Sequence, residues 1–118
     1  MTILIVEDNP SVRRLLRHAI QEIAHTVVEC EDGADSLKGY KDCMPDVVLM
    51  DVRMPRMDGL TATRRLLQAY PDARVVIVTD YDDDELRNAA HEAGAKQFAL
   101  KNNLTELDSI IVSVAGMS

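Results

Sequence analysis

The sequence predicts a doubly wound α/β domain: a five-stranded parallel sheet in the order 2-1-3-4-5, flanked by five helices in three layers. Short apolar runs rich in β-branched residues recur at Ile3-Leu4-Ile5-Val6, Val47-Val48-Leu49-Met50, Val75-Val76-Ile77-Val78 and, more weakly, Phe98-Ala99-Leu100. A strand that is apolar at consecutive positions must be buried on both faces, as in a parallel sheet covered by helices. Between the runs lie helical patterns of roughly ten to fifteen residues, so that a βα unit repeats along the chain. The runs are also closed by polar groups, namely Glu7-Asp8, Asp51, Thr79 and Lys101. These lie at the carboxyl edge of the sheet, where open parallel sheets bind ligands.

The elements follow in chain order. After the first strand, Val12, Leu15, Leu16, Ala19, Ile20 and Ile23 recur at helical spacing, with Arg13, Arg14 and Arg17 assigned to the opposite, solvated side. Asn9 is placed as N-cap and Pro10 in the first turn. Thr26 to Cys30 alternates more than the other strands and is placed at an edge. Ala34 to Lys41 reads as a second helix ended by Pro45, and Leu60 to Tyr70 as a third stopped by Pro71. Asp82 to Ala93 reads as the fourth, with Gly94 as C-cap. The fifth runs from Leu104 to Val114, with Leu104, Leu107, Ile110, Ile111 and Val114 facing inward and Gly116 at its end. Right-handed crossovers and an edge second strand favour the order 2-1-3-4-5, one of the orders known for doubly wound sheets.

At 118 residues the chain is expected to form one domain, residues 1–118. Its hydrophobic fraction of 47% with 28% charged residues is ordinary for a globular protein. No apolar stretch approaches the ~20 residues of a membrane span. Met1-Thr2-Ile3 enters a strand without a basic leader, so a cytoplasmic location is expected. The net charge of -7 argues against nucleic-acid binding by this domain, because phosphate affinity comes from clustered Lys and Arg. Cys30 and Cys43 lack metal or redox spacing and read as reduced structural thiols. The six methionines read as gap-filling core, with Met54 and Met57 in the loop after Asp51.

The predicted order makes the first and third strands neighbours, ~4.8 Å apart, which crowds Glu7, Asp8 and Asp51. Two carboxylates ~5 Å apart repel by roughly 3 kcal/mol at an effective dielectric of ~20. Three in one pocket therefore need raised pKa values or a bound cation. Oxygen donors with open positions suit Mg2+, which keeps waters and shares itself with a phosphate. Lys101 adds a point charge for an anionic oxygen and Thr79 a hydroxyl donor. A carboxylate nucleophile among these groups suits phosphoryl transfer to aspartate.

The whole chain resembles the response-regulator receiver domain of two-component signalling, the CheY-like fold. The resemblance rests on Ile3 to Pro10, on Asp51-Val52-Arg53-Met54-Pro55-Arg56-Met57-Asp58-Gly59, and on Thr79 and Lys101. The wording around Thr79-Asp80-Tyr81-Asp82-Asp83 and Leu100-Lys101-Asn102 is closest to the NarL/FixJ type, whose members usually carry a C-terminal DNA-binding output domain. The resemblance implies that Asp51 accepts a phosphoryl group from a sensor histidine kinase or a histidine phosphotransfer protein, with docking near the first helix. Glu7, Asp8, Asp51 and the backbone carbonyl of Arg53 would hold Mg2+, and Lys101 would bind a phosphoryl oxygen. Thr79 would move toward the phosphoryl group and Phe98, the switch aromatic, would turn inward. That would bias a two-state equilibrium of the output surface and, in some members, a phosphorylation-dependent homodimer.

Three positions depart from the common pattern. Asp80 stands where a small residue is usual; pointing inward it would oppose the incoming anion, pointing outward it would meet solvent. Asn102 replaces the proline that often follows the lysine, and Arg53 occupies a variable position that would tune the lifetime of the phosphorylated state. Two other functions compete: a pseudo-receiver locked by Asp80 and never phosphorylated, and a haloacid-dehalogenase-like phosphatase. The latter needs a second aspartate two residues after the nucleophile, where this chain has Arg53.

Overall fold

A computed structural model describes residues 1–116. Its five parallel strands are β1 (Thr2–Val6), β2 (Thr26–Cys30), β3 (Val47–Met50), β4 (Val75–Thr79) and β5 (Gln97–Leu100), in the order β2-β1-β3-β4-β5. The helices are α1 (Pro10–Ile20), α2 (Ser36–Cys43), α3 (Gly59–Ala69), α4 (Asp84–Ala93) and α5 (Leu107–Ala115). The fold class and strand order are those expected from the sequence, with β2 at the edge. The end of the expected domain, residues 117–118 with Met117 and Ser118, lies outside the described residues.

The three central strands, β1, β3 and β4, divide their side chains between two cores, which is why their apolar runs are continuous. Ile3, Ile5, Val47, Leu49, Val76 and Val78 pack with Leu16, Ile20, Leu107 and Ile111 of α1 and α5. Leu4, Val6, Val48, Met50, Val75 and Ile77 pack on the other face with Tyr40, Ala62, Leu66 and Ala90 of α2, α3 and α4. Each of these central strands is thereby desolvated on both sides, which at about 25 cal/mol per Å2 of apolar area is the main favourable contribution to folding.

Several boundaries move for identifiable reasons. Asn9 does cap α1, its side chain accepting from Ser11 N and Val12 N. The helix ends at Ile20, so Ile23 packs from the following turn. Within α1 the buried stripe is centred on Leu16 and Ile20, leaving Leu15 58% exposed. Arg13 is correspondingly not on the solvated side: it precedes Ile20 by one heptad, about 20° away around the helix, and its side chain is 14% exposed. A 3-10 turn, Gly33–Asp35, precedes α2. Asp83 accepts from Glu85 N and Leu86 N, so α4 begins at Asp84 and not Asp82. Residues 104–106 form a turn ahead of α5, with Leu104 still packed on the core. Met44, in the left-handed region at φ 44° where it ends α2, is 61% exposed and fills no gap.

Asp32, which sequence patterning left without a role, ties the turn before α2 to the loop after β3. Its buried carboxylate accepts from the backbone N–H groups of Ala34 at 2.9 Å, Arg56 at 3.0 Å and Met57 at 3.0 Å. An Asp32→Ala change strands these donors, and an unmet buried donor costs about 1–3 kcal/mol. A loss of about 2 kcal/mol or more in urea unfolding is expected, whereas a loss within ~0.5 kcal/mol, the range of an ordinary surface change, would show that water replaces the carboxylate.

Candidate functional site

The site is assembled by backbone bonds that run one residue past the strand ends. Glu7 N donates to Cys30 O at 3.0 Å, Asp51 N to Val6 O at 2.9 Å and Lys101 N to Thr79 O at 2.8 Å. Glu7, Asp51 and Lys101 are thus each held at the backbone N–H by the neighbouring strand before their side chains make any contact. Glu7, Asp8 and Asp51 bring one carboxylate oxygen each to within 4.8 Å of one another. Glu7 is 1% exposed and Asp51 6%, whereas Asp8 is open to solvent.

Lys101 bridges the two buried carboxylates, its Nζ lying 2.6 Å from Glu7 Oε1 and 2.8 Å from Asp51 Oδ1. Burial pushes the Glu7 carboxyl up to about 7, although the Lys101 ammonium and the Asn9 N–H oppose that shift. Burial works against the charge on Lys101 as well, but the facing Asp51 and Glu7 carboxylates outweigh it and raise the ammonium above its ordinary value. Three carboxylates less one ammonium leave two negative charges to neutralise when all are ionised. Glu7 Oε1 is buried and, although Lys101 is close, accepts no well-aligned hydrogen bond. An all-oxygen donor set with that charge and a solvent-facing member fits Mg2+.

The motif from Asp51 to Gly59 has steric and capping functions. A Cβ on Gly59 would lie 1.7 Å from the carbonyl oxygen of Asp51, so only glycine permits α3 to start against the Asp51 backbone. Asp58 caps that helix, accepting from Thr61 N and Thr61 Oγ1 at 2.9 Å each. Thr79 is buried at the end of β4, where its Oγ1 accepts from Tyr81 N at 3.4 Å. Arg53 is exposed and lays its guanidinium over the Tyr81 ring, 4.4 Å from the centroid. Phe98 is half-buried away from the acidic trio, under the Arg87 guanidinium at 4.5 Å. Asp80 is exposed, and no cis peptide bond occurs among the described residues.

The response regulator receiver domain family matches residues 3–112. The chain belongs to that family. It is 38% identical over 108 residues to the uncharacterized transcriptional regulatory protein YhcZ of Bacillus subtilis, covering 90% of this chain and 50% of that one. It is 39% identical over 101 residues to the response regulator GacA of Pseudomonas aeruginosa, covering 84% of this chain and 47% of that one. Among solved structures, a LuxR-family two-component response regulator from Aurantimonas sp. SI85-9A1 superposes with a TM-score of 0.89 at 31% identity, over 97% of this chain and 84% of that one. The receiver domain of the putative response regulator NarL from Mycobacterium tuberculosis gives 0.88 at 30%, over 98% and 97%. The chain spans about half the length of the curated relatives it matches. As a receiver domain of two-component signalling, of the NarL-like kind expected from the sequence, it has no helix among its described residues long and apolar enough to cross a membrane.

Proposed function

We propose that this receiver takes a phosphoryl group on Asp51 from a phosphohistidine of a sensor histidine kinase or a histidine phosphotransfer protein, in a Mg2+-dependent reaction in the cytoplasm. The observation that carries the reading is the buried Asp51 carboxylate placed against Glu7, Asp8 and Lys101. An Asp51 carboxylate oxygen attacks phosphorus, the P–N bond to the donor histidine breaks, and an aspartyl phosphate forms. Glu7, Asp8, Asp51 and the carbonyl of Arg53 hold the cation, which when bound neutralises charge developing on the phosphoryl oxygens. Lys101 exchanges its carboxylate contacts for a phosphoryl oxygen. Thr79 donates its hydroxyl to another, and Phe98 follows inward, so that the output surface shifts. The exposed Asp80 supports this reading over a locked pseudo-receiver. A transcriptional output would act through a further domain, as in regulatory relatives of which this chain matches about half, and phosphorylation would also promote pairing of two copies.

Intact mass spectrometry after incubation with acetyl phosphate tests this. One phosphoryl adduct is expected, dependent on Mg2+ and lost in Asp51→Asn; an unmodified protein with both acetyl phosphate and a histidine-kinase donor would overturn the reading.

Mg2+ binding should also depend on pH with a definite sign. The folded-state Glu7 carboxyl is raised from 4.5 to about 7, so a proton competes with the cation below that pH. Without metal, the same shift stabilises the fold at low pH and is lost as pH rises from about 4.5 through about 7. Calorimetric Mg2+ affinity should therefore fall toward about tenfold per pH unit below 7, for displacement of one proton, and level off above it. An affinity flat from pH 5.5 to 8 would mean that the Glu7 carboxyl is ionised throughout that range or is not a ligand, and either result overturns the expected competition.

A further inference from the structure

Arg13, in the first turns of α1, reaches back to the loop that carries the acidic pair. Its Nη1 donates to the carbonyl of Glu7 at 2.8 Å and to that of Asp8 at 3.2 Å. Its Nε lies 3.3 Å from Glu29 Oε1 on β2, and its Nη2 lies 3.9 Å from Glu31. Arg17 holds the other oxygen of Glu29 at 3.1 Å, so the anchor is itself fixed. One planar fork therefore spans the edge strand, the first helix and the loop after β1.

We infer that Arg13 is a positioning residue for the cation site, its Glu29-anchored guanidinium setting the Glu7-Asp8 backbone so that both carboxylates converge with Asp51. The inference rests on the proposed Mg2+-dependent function. Two consecutive carbonyls bonded to one rigid group fix the peptide planes on either side of Asp8, and with them the direction in which its side chain leaves the backbone. That constraint matters most for Asp8, because it is the exposed member of the trio and is not held by burial as Glu7 and Asp51 are. A cation this near a metal site would by charge alone repel Mg2+. Glu29 and Glu31 offset that charge, leaving the geometric effect to decide the sign.

The sign supplies the test. Mg2+ alone is titrated by calorimetry into the wild type, Arg13→Met and Arg13→Lys at one pH and ionic strength, with thermal stability recorded in parallel. Arg13→Met is expected to bind about tenfold more weakly, the lower end of what loss of a residue orienting a metal ligand produces. Arg13→Lys keeps the charge but not the fork, and should resemble Arg13→Met. A tighter Arg13→Met with a wild-type-like Arg13→Lys would mean that charge governs and would overturn the inference. Unchanged Mg2+ affinity with lowered thermal stability would overturn it too, by reducing Arg13 to packing. Should Arg13→Met fail to fold, Arg13→Lys decides: weakened binding supports the inference and wild-type affinity overturns it. A wild type that binds no Mg2+ would remove the proposed function itself, and this inference with it.

Discussion

Gly59→Ala is expected to destabilise the domain by about 3 kcal/mol or more and to depress phosphorylation together with stability. The added Cβ would stand 1.7 Å from Asp51 O, 2.8 Å from Asp51 C and 2.9 Å from Met50 Cγ. The first two are backbone atoms, so no rotamer change relieves the overlap. Relief requires moving α3 or the Asp51–Val52 peptide, and the peptides on either side of the latter are held by the bond of Asp51 N to Val6 O and by that of Gly59 N to Val52 O at 2.8 Å. Overpacking that only side chains must absorb costs about 1–3 kcal/mol, and a backbone overlap belongs at or above the top of that range. Gly116→Ala is the internal control. Its Cβ would meet nothing closer than 3.6 Å, in an αR conformation, and should cost no stability, with a gain of up to about 1 kcal/mol from the stiffer unfolded chain. Urea unfolding with a common slope measures both. A Gly59→Ala loss below ~1 kcal/mol with normal phosphorylation would mean that the Asp51 backbone is not held by α3 as described.

The same contact explains why the site was more legible in the sequence than the parts that hold it. Glu7, Asp8, Asp51, Thr79 and Lys101 announce themselves because polar residues end apolar runs, and parallel topology carries every such residue to one edge. The strand order is readable because β2 alternates more than the other strands, which puts it at an edge, and right-handed crossovers then favour 2-1-3-4-5. Arg13 and Asp32 act through backbone carbonyls and N–H groups, which leave no residue-type signature at the other end of the bond. Arg13 did carry a signal, its heptad spacing to Ile20, but three arginines near one another suggest a solvated face more strongly. Asp32 before Gly33 resembles any turn pair until the loop from Arg56 to Met57 is seen to fold over it. Helix starts were misplaced where a cap or a 3-10 turn took the first N–H groups, as at Asp83 and at Gly33–Asp35. Leu15 failed because an apolar stripe about 100° wide does not include every leucine beside it.

Lys101→Met should expose the energetic conflict built into the site. The ammonium lies within ion-pair distance of both Glu7 and Asp51, in a pocket that leaves them almost no water. Removing one partner of a buried ion pair costs about 3–5 kcal/mol, because the other charge stays unpaired. Here the cost has an escape route, since the Glu7 carboxyl already lies near 7 and loses, with Lys101, a contact that lowers it. Its folded-state pKa then rises further, and protonated Glu7 relieves the repulsion with Asp51. The penalty should therefore be largest above pH 7 and shrink as pH falls toward 4.5, the opposite trend from a group stabilised by ionisation. Urea unfolding without metal at pH 8 and pH 5.5 should show a deficit of about 3 kcal/mol at the first and less than half of that at the second. Mg2+ should recover more stability in Lys101→Met than in the wild type, because a divalent ion replaces the lost charge, yet under the proposed function phosphorylation of Asp51 should remain slow, because a phosphoryl oxygen would lack its ammonium. A deficit independent of pH and untouched by Mg2+ would show that Lys101 contributes packing only, and that the two carboxylates are solvated in a way their burial does not suggest.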